Sequence, residues 1–272
     1  MSHDGHPAPE EAREAPSAAS AKKKDGRPLS IWITGRPVSE AERRRGSFAH
    51  MIQHTVADAW NGPWQLVDCT REEARLPRLE EVAGVVVTGS AAHVAEQAPW
   101  MLRLQTALRE ATERNVPTLG ICFGHQLLGL ALGGHSGTNP RGREIGAVSL
   151  RLTHPDPLLG SLDELRPAGG YDVIMTHLDS VLSLPPGARV LAETDGERHA
   201  AIRFGERCWG VQFHPEMDAE IIGYYVEARR DALVSEGREP DAIVQGLRDT
   251  PHGARVLTRF AEEVCRAEAE RG

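Results

Sequence analysis

From Leu29 onward, short apolar runs alternate with stretches in which apolar residues recur every three or four positions. Leu29-Ser30-Ile31-Trp32-Ile33-Thr34 predicts a strand, and Phe48, Met51, Ile52, Val56 and Ala59 then place a helix over 47–60. Trp64 to Val67 reads as a second strand. Val85-Val86-Val87, ending in Thr88-Gly89-Ser90, is a continuous apolar run suited to a strand covered on both faces of a parallel sheet. Trp100, Leu104, Leu108 and Ala111 mark a helix after Pro99. Pro117 to Ile121 is the next strand, running straight into a helix that carries Leu127 to Leu132 and closes at Gly133-Gly134. Strands alternating with helices of this length imply a parallel α/β sheet. The second half is richer in strands, at 147–152, 189–192, 200–204 and 209–213, several of them expected to be antiparallel. Two helices, near 218–236 and 253–268, finish the chain, and the polar segment Ser235 to Asp241 reads as a surface connection. Trp60 and Trp64, around Asn61-Gly62-Pro63, read as core packing beside a turn.

Composition narrows the picture. Residues 1–27 are rich in Ala, Pro, Ser and Glu and are expected to form a disordered tail. The 272 residues carry 39 acids against 31 bases, a net charge of −8, which argues against a nucleic-acid partner. No apolar run approaches the length of a membrane span and the N-terminus has no apolar signal core, so no membrane association is expected. Cys69, Cys122, Cys208 and Cys265 form no C-x-x-C pair, which points to a reduced, cytoplasmic setting. No P-loop, no S-G-G-x-D-S loop, no helix-opening G-x-G-x-x-G and no metal-ligand spacing occurs, so neither metal nor cofactor is expected.

The most informative stretch is Gly120-Ile121-Cys122-Phe123-Gly124, a G-x-C-x-G between a predicted strand and a predicted helix. This is the nucleophile-elbow pattern with a thiol in place of a hydroxyl. Gly120 and Gly124 flank the apex because a β-carbon there would clash where strand and helix approach. Cys122 falls at a helix N-terminus, where the dipole favours thiolate, and the Phe123 N–H points where an oxyanion would form. A thiol nucleophile needs a base and a group to orient it. Trp209-Gly210-Val211-Gln212-Phe213-His214-Pro215-Glu216 delivers a histidine at a strand end, with Glu216 placed to bond its Nδ1–H and leave Nε2 for the thiol proton. Thr88-Gly89-Ser90, taken alone, reads equally as a β-turn or as an oxyanion-binding turn. Gln126 lies one helical turn beyond Cys122 on the same face, and His125 reads as structural.

With these residues the chain resembles a class I glutamine amidotransferase of the Cys-His-Glu type. The two signatures are G-I-C-F-G-H-Q at the elbow and G-V-Q-F-H-P-E at the histidine strand. The chain is similar to the amidotransferase domain of GMP synthases and to stand-alone relatives that include γ-glutamyl peptidases. The resemblance spans about residues 29–220 and implies a three-layer, flavodoxin-like α/β fold with a mostly parallel twisted sheet and helices on both faces. The domain expected over 28–220 would follow the 1–27 tail and precede a C-terminal helical extension over 221–272. The resemblance implies a catalytic Cys122, His214 and Glu216, an oxyanion hole from Gly89, Ser90 and Phe123, and a glutamine contact at Gln126. Thr176, His177 and Asp179 resemble part of the family's S-H-x-D-x-V loop, which would hold the amino-acid end of glutamine, His177 serving as a structural hydrogen-bonder. Two departures stand out: Ala91, Ala92 and His93 replace the family's Pro and Ser, and Leu178 stands where Gly is usual. His93 itself reads as a surface histidine.

The expected chemistry is hydrolysis of the γ-amide of glutamine through a γ-glutamyl thioester on Cys122. Only about 50 residues follow the His-Pro-Glu motif, too few for an ATP-using synthetase domain, so ammonia is expected to pass to a separate synthetase subunit or to be released. One alternative is a γ-glutamyl peptidase or hydrolase acting on γ-glutamyl peptides or conjugates. A second is a non-catalytic regulatory subunit, against which the intact triad weighs.

Overall fold

A computed structural model of the chain describes residues 26–161 and 170–271. The tail expected over 1–27 lies, except for its last two residues, outside the described residues. In chain order the elements are β1 (Leu29–Ile33), α1 (Ser39–Arg45), α2 (Phe48–Thr55), β2 (Trp64–Asp68), β3 (Gly84–Val87), α3 (Pro99–Glu113), β4 (Thr118–Ile121), α4 (Phe123–Ala131), β5 (His135–Thr138) and β6 (Glu144–Leu152). There follow β7 (Gly170–His177), β8 (Asp179–Ser183), β9 (Arg189–Glu193), β10 (Ala201–Gly205), β11 (Cys208–Val211), α5 (Ala219–Ala228), α6 (Arg230–Ser235), α7 (Pro240–Gln245) and α8 (Pro251–Arg271).

A nine-stranded sheet in the order β2-β1-β3-β4-β11-β10-β9-β6-β7 organises the molecule, with β5 and β8 forming a separate two-stranded ribbon. The ladders from β2 through β11 are parallel, and every ladder from β11 outward to β7 is antiparallel. Only β10 and β6 therefore run against the rest, giving the largely parallel sheet expected. β11, the last strand in the chain, is inserted between β4 and β10. Strands β3, β4 and β11 are buried along their whole length, which is why they read as unbroken apolar runs.

Helices cover both faces. One core gathers Ile52 of α2 and Val256, Leu257, Phe260 and Val264 of α8 against β1, β4 and β11. On the opposite face Leu104 and Leu108 of α3 and Leu127 and Leu128 of α4 meet Trp32, Val85 and Val87. A third cluster places Ile221, Ile222 and Tyr225 of α5 with Phe48, Met51 and Ile174. Trp60 is buried, donates from Nε1 to Pro63 O at 3.1 Å and meets Trp64 edge-on.

The single helix expected near 218–236 is instead broken at Arg229, whose backbone closes 3.2 Å onto Val226 O before α6 begins. The polar connection expected over 235–241 is shorter than expected, because Pro240 starts α7 in the first-turn position where its missing N–H has no consequence.

Candidate active site

Three adjacent strands end together. Val87 pairs with Gly120, and Ile121 with Val211, so the residues that follow β3, β4 and β11 meet at one edge of the sheet. β7 runs the same way and brings Thr176 and His177 to that edge.

Cys122 occupies the turn from β4 to α4 with φ 51° and ψ −100°, a conformation a side chain adopts only under strain. Its N–H donates to Val211 O at 2.8 Å, tying the elbow to the end of β11. The crossing tolerates no side chain at either glycine. A β-carbon on Gly120 would sit 2.5 Å from the Gly124 carbonyl, and one on Gly124 2.5 Å from Val87 O.

His214 is fixed from three directions. Its backbone N–H donates to Ile174 O at 2.8 Å, its ring stacks on Phe48 with centroids 6.1 Å apart, and its Nδ1–H donates to Glu216 Oε1 at 2.7 Å. Nε2 is thereby left on the side of Cys122: a β-carbon on Gly89 would lie 3.8 Å from both His214 Nε2 and Cys122 Cβ. Burial by itself would lower the pKa of His214, but the Glu216 carboxylate and then Cys122 favour the imidazolium and push it up to about 10. The other thiols sit in different settings. Burial pushes Cys69 and Cys208 up to about 12 and also raises Cys265.

The turn after β3 is shaped by a residue the sequence did not single out. The Thr34 hydroxyl is shared between Thr88 O at 2.8 Å and Gly89 O at 3.1 Å. Because a trans peptide sets N–H opposite C=O, the amides of Gly89 and Ser90 point away from Thr34. Gly89 borders His214, a β-carbon there coming 3.0 Å from His214 Cε1, and Ser90 lines the cleft.

The cleft above Cys122 has a volume of about 200 Å³ and is lined also by Gln126, Thr176, His177, Leu178 and Asp179. Gln126 spends its side-chain N–H groups on Asp179 O at 2.7 Å and Gln212 Oε1 at 3.0 Å, leaving only its carbonyl oxygen for a ligand. The Thr176 hydroxyl is buried without a partner. His177 faces Asp179 O at 3.0 Å and Glu144 Oε2 at 3.3 Å, and Glu144 is itself held by Thr194 at 2.7 Å. Asp179 meets Thr138 Oγ1 at 3.2 Å and, at the rim, His93 Nδ1 at 3.1 Å, so the exposed His93 is anchored by a carboxylate. His125 faces the sheet instead, wholly buried against Gly210 and Phe204, and burial pulls it down to about 3. The structure thus draws together all the residues singled out from the sequence as site residues, and adds Thr34, Phe48, Glu144, Arg143 and Arg229. Among the described residues no group of His, Cys, Asp and Glu is arranged to hold a metal ion.

The sequence profile of the family described as Glutamine amidotransferase class-I matches residues 45–226, more than half of the chain. Among curated proteins, the chain is similar to a GMP synthase [glutamine-hydrolyzing] of Aeropyrum pernix, at 35% identity over 63% of this chain and 31% of that one. It is also similar to Gamma-glutamyl peptidase 5 of Arabidopsis thaliana, at 30% identity over 53% of this chain and 57% of that one. The chain spans less than two-thirds of the length of either relative. Among solved structures, a glutamine amidotransferase from Thermotoga maritima superposes with a TM-score of 0.62 at 22% identity, covering 89% of this chain and 97% of that one. A glutamine amido transferase from Methylobacillus flagellatus gives 0.64 at 22% identity over 90% and 94%. Those two likenesses establish the shared fold.

Proposed function

The chain belongs to the class I glutamine amidotransferases, and on that premise we propose that it hydrolyses the γ-amide of glutamine with Cys122, His214 and Glu216 as its triad. The observation that carries this reading is a thiol held at a strained strand–helix turn beside an imidazole that is itself oriented by a carboxylate at 2.7 Å.

The Cys122 sulfur attacks the γ-carbonyl carbon, and the charge that forms on oxygen is met by the N–H groups of Phe123 and the 89–90 turn. Each such donor contributes about 3 kcal/mol in comparable sites. Collapse of the tetrahedral adduct breaks the C–N bond, and His214 hands its proton to the departing ammonia. Water then attacks the γ-glutamyl thioester, His214 takes a proton from it, and glutamate and the thiol are restored. Thr176, Asp179 and the carbonyl oxygen of Gln126 hold the glutamyl part, His177 serving to fix the Asp179 backbone. On this reading residues 28–220 carry the chemistry, no cofactor is needed, and ammonia passes to a separate synthetase subunit.

A second reading, a γ-glutamyl peptidase, is favoured by one observation: the match to the Arabidopsis peptidase covers 57% of that protein, whereas the match to the Aeropyrum synthase covers 31%. Glutamate release from glutamine and from a γ-glutamyl peptide, compared between the purified chain and Cys122→Ala, tests both. Turnover of at least one substrate should fall by about a thousandfold or more in the variant. Turnover that survives the substitution removes Cys122 from the chemistry.

A further inference from the structure

The cleft holds more positive charge than the triad's chemistry uses. Arg143, just ahead of β6, and Arg229, at the break between α5 and α6, both line it together with Cys122. Arg143 is anchored from outside, its Nε donating to both oxygens of Glu236 at 3.0 and 3.1 Å. Arg229 has no such anchor. Among the described residues no carboxylate lies within ion-pairing distance of it, its guanidinium sits 4.9 Å over the ring of Tyr225, and its Nη1 is buried without an acceptor. An arginine N–H buried without a partner is destabilising, and a native fold tolerates one where a ligand completes the bond. Burial, and the neighbouring Arg143 charge, pull Arg229 below the usual arginine value, while Tyr225 and Cys122 act the other way. A guanidinium remains charged throughout, and its planar fork matches a carboxylate.

We propose that Arg229, with Arg143 beside it, forms an anion subsite of the cleft that binds a carboxylate of the substrate while Cys122 engages the γ-carbonyl. This rests on the reading of the site as one for γ-glutamyl compounds. Two carboxylates of such compounds share the chemistry: the α-carboxylate of the glutamyl part, and a carboxylate on the leaving amine of a γ-glutamyl peptide.

The test uses the full chain with Arg229→Gln, Arg229→Lys and, as a charge control facing away from the cleft, Arg230→Gln. Site-resolved alkylation of Cys122 by iodoacetate and by iodoacetamide needs no turnover. The preference for the anionic reagent should fall about fivefold or more in Arg229→Gln, recover in part in Arg229→Lys and stay unchanged in Arg230→Gln. Kinetics then separate the two carboxylates. With Arg229→Gln, a KM raised about tenfold or more at near-constant kcat for both γ-glutamyl-p-nitroanilide and γ-glutamylglycine puts the α-carboxylate at Arg229. A rise confined to γ-glutamylglycine puts the leaving group's carboxylate there. An unchanged alkylation preference, or unchanged KM values for both substrates, overturns the subsite and leaves Arg229 as a cap on Tyr225. A Cys122 that resists both reagents in the unsubstituted chain refutes the triad reading itself, and the subsite with it.

Discussion

At Glu216 a single oxygen governs the proton on His214. Glu216 Oε1 accepts from Nδ1 at 2.7 Å, and that carboxylate is the strongest influence opposing the effect of burial on the imidazole. The raised pKa means that the charged form is favoured in the folded protein. Its contribution to stability is therefore complete below the unfolded value near 6.5 and fades as pH rises toward about 10. Activity that depends on the imidazolium should follow the same limb. In Glu216→Gln, kcat/KM should drop by about two to four orders of magnitude, and its alkaline limb should move to lower pH. A pH–rate profile with an unmoved alkaline limb would show that Glu216 does not set the charge on His214. Residues of this kind are legible from sequence because strand, proline and carboxylate are contiguous. Arg229 is not, since only the break after α5 aims it at the cleft, and neither a glycine nor a proline marks that break.

Among the elements, the turn after β3 is held from the neighbouring strand. Thr34 stands at the end of β1, and its hydroxyl aims the peptides of Gly89 and Ser90 without lining the cleft. Thr34→Val keeps the shape and removes the hydroxyl. It should lower kcat about tenfold with little change in KM and leave the fold intact, as steady-state kinetics and circular dichroism can check. An unaltered kcat would mean that the turn needs no such support. The strands that build this edge could be read because β3 and β4 are buried on both faces and the helix α3 has a regular apolar stripe. Others left weaker traces. α1 buries only Ala41 and is otherwise polar or charged, so no stripe announces it. The stretch 175–181 resembles a loop in the sequence, but it forms the end of β7 and the start of β8, whose polar residues, Asp172, Thr176, His177 and Asp179, obscure the strand pattern although Val173, Ile174 and Met175 are wholly buried.

Across the whole molecule, α8 packs on β11, the strand that leads to His214. Phe260 is buried and meets Trp209 of β11 edge-on, with centroids 6.5 Å apart. Phe260→Ala should destabilise the protein by about 3–5 kcal/mol, seen as a lower denaturation midpoint at unchanged slope. A loss below about 1 kcal/mol would mean that α8 is a detachable addition to the core. β11 itself has a consequence in time. It is the last strand made, yet it lies in the middle of the sheet and pairs with β4, the strand that ends at Cys122. During synthesis the elbow strand is complete long before its central neighbour emerges. On the proposed function, Cys122 and His214 can therefore be set side by side only once β11 has been made and has paired with β4.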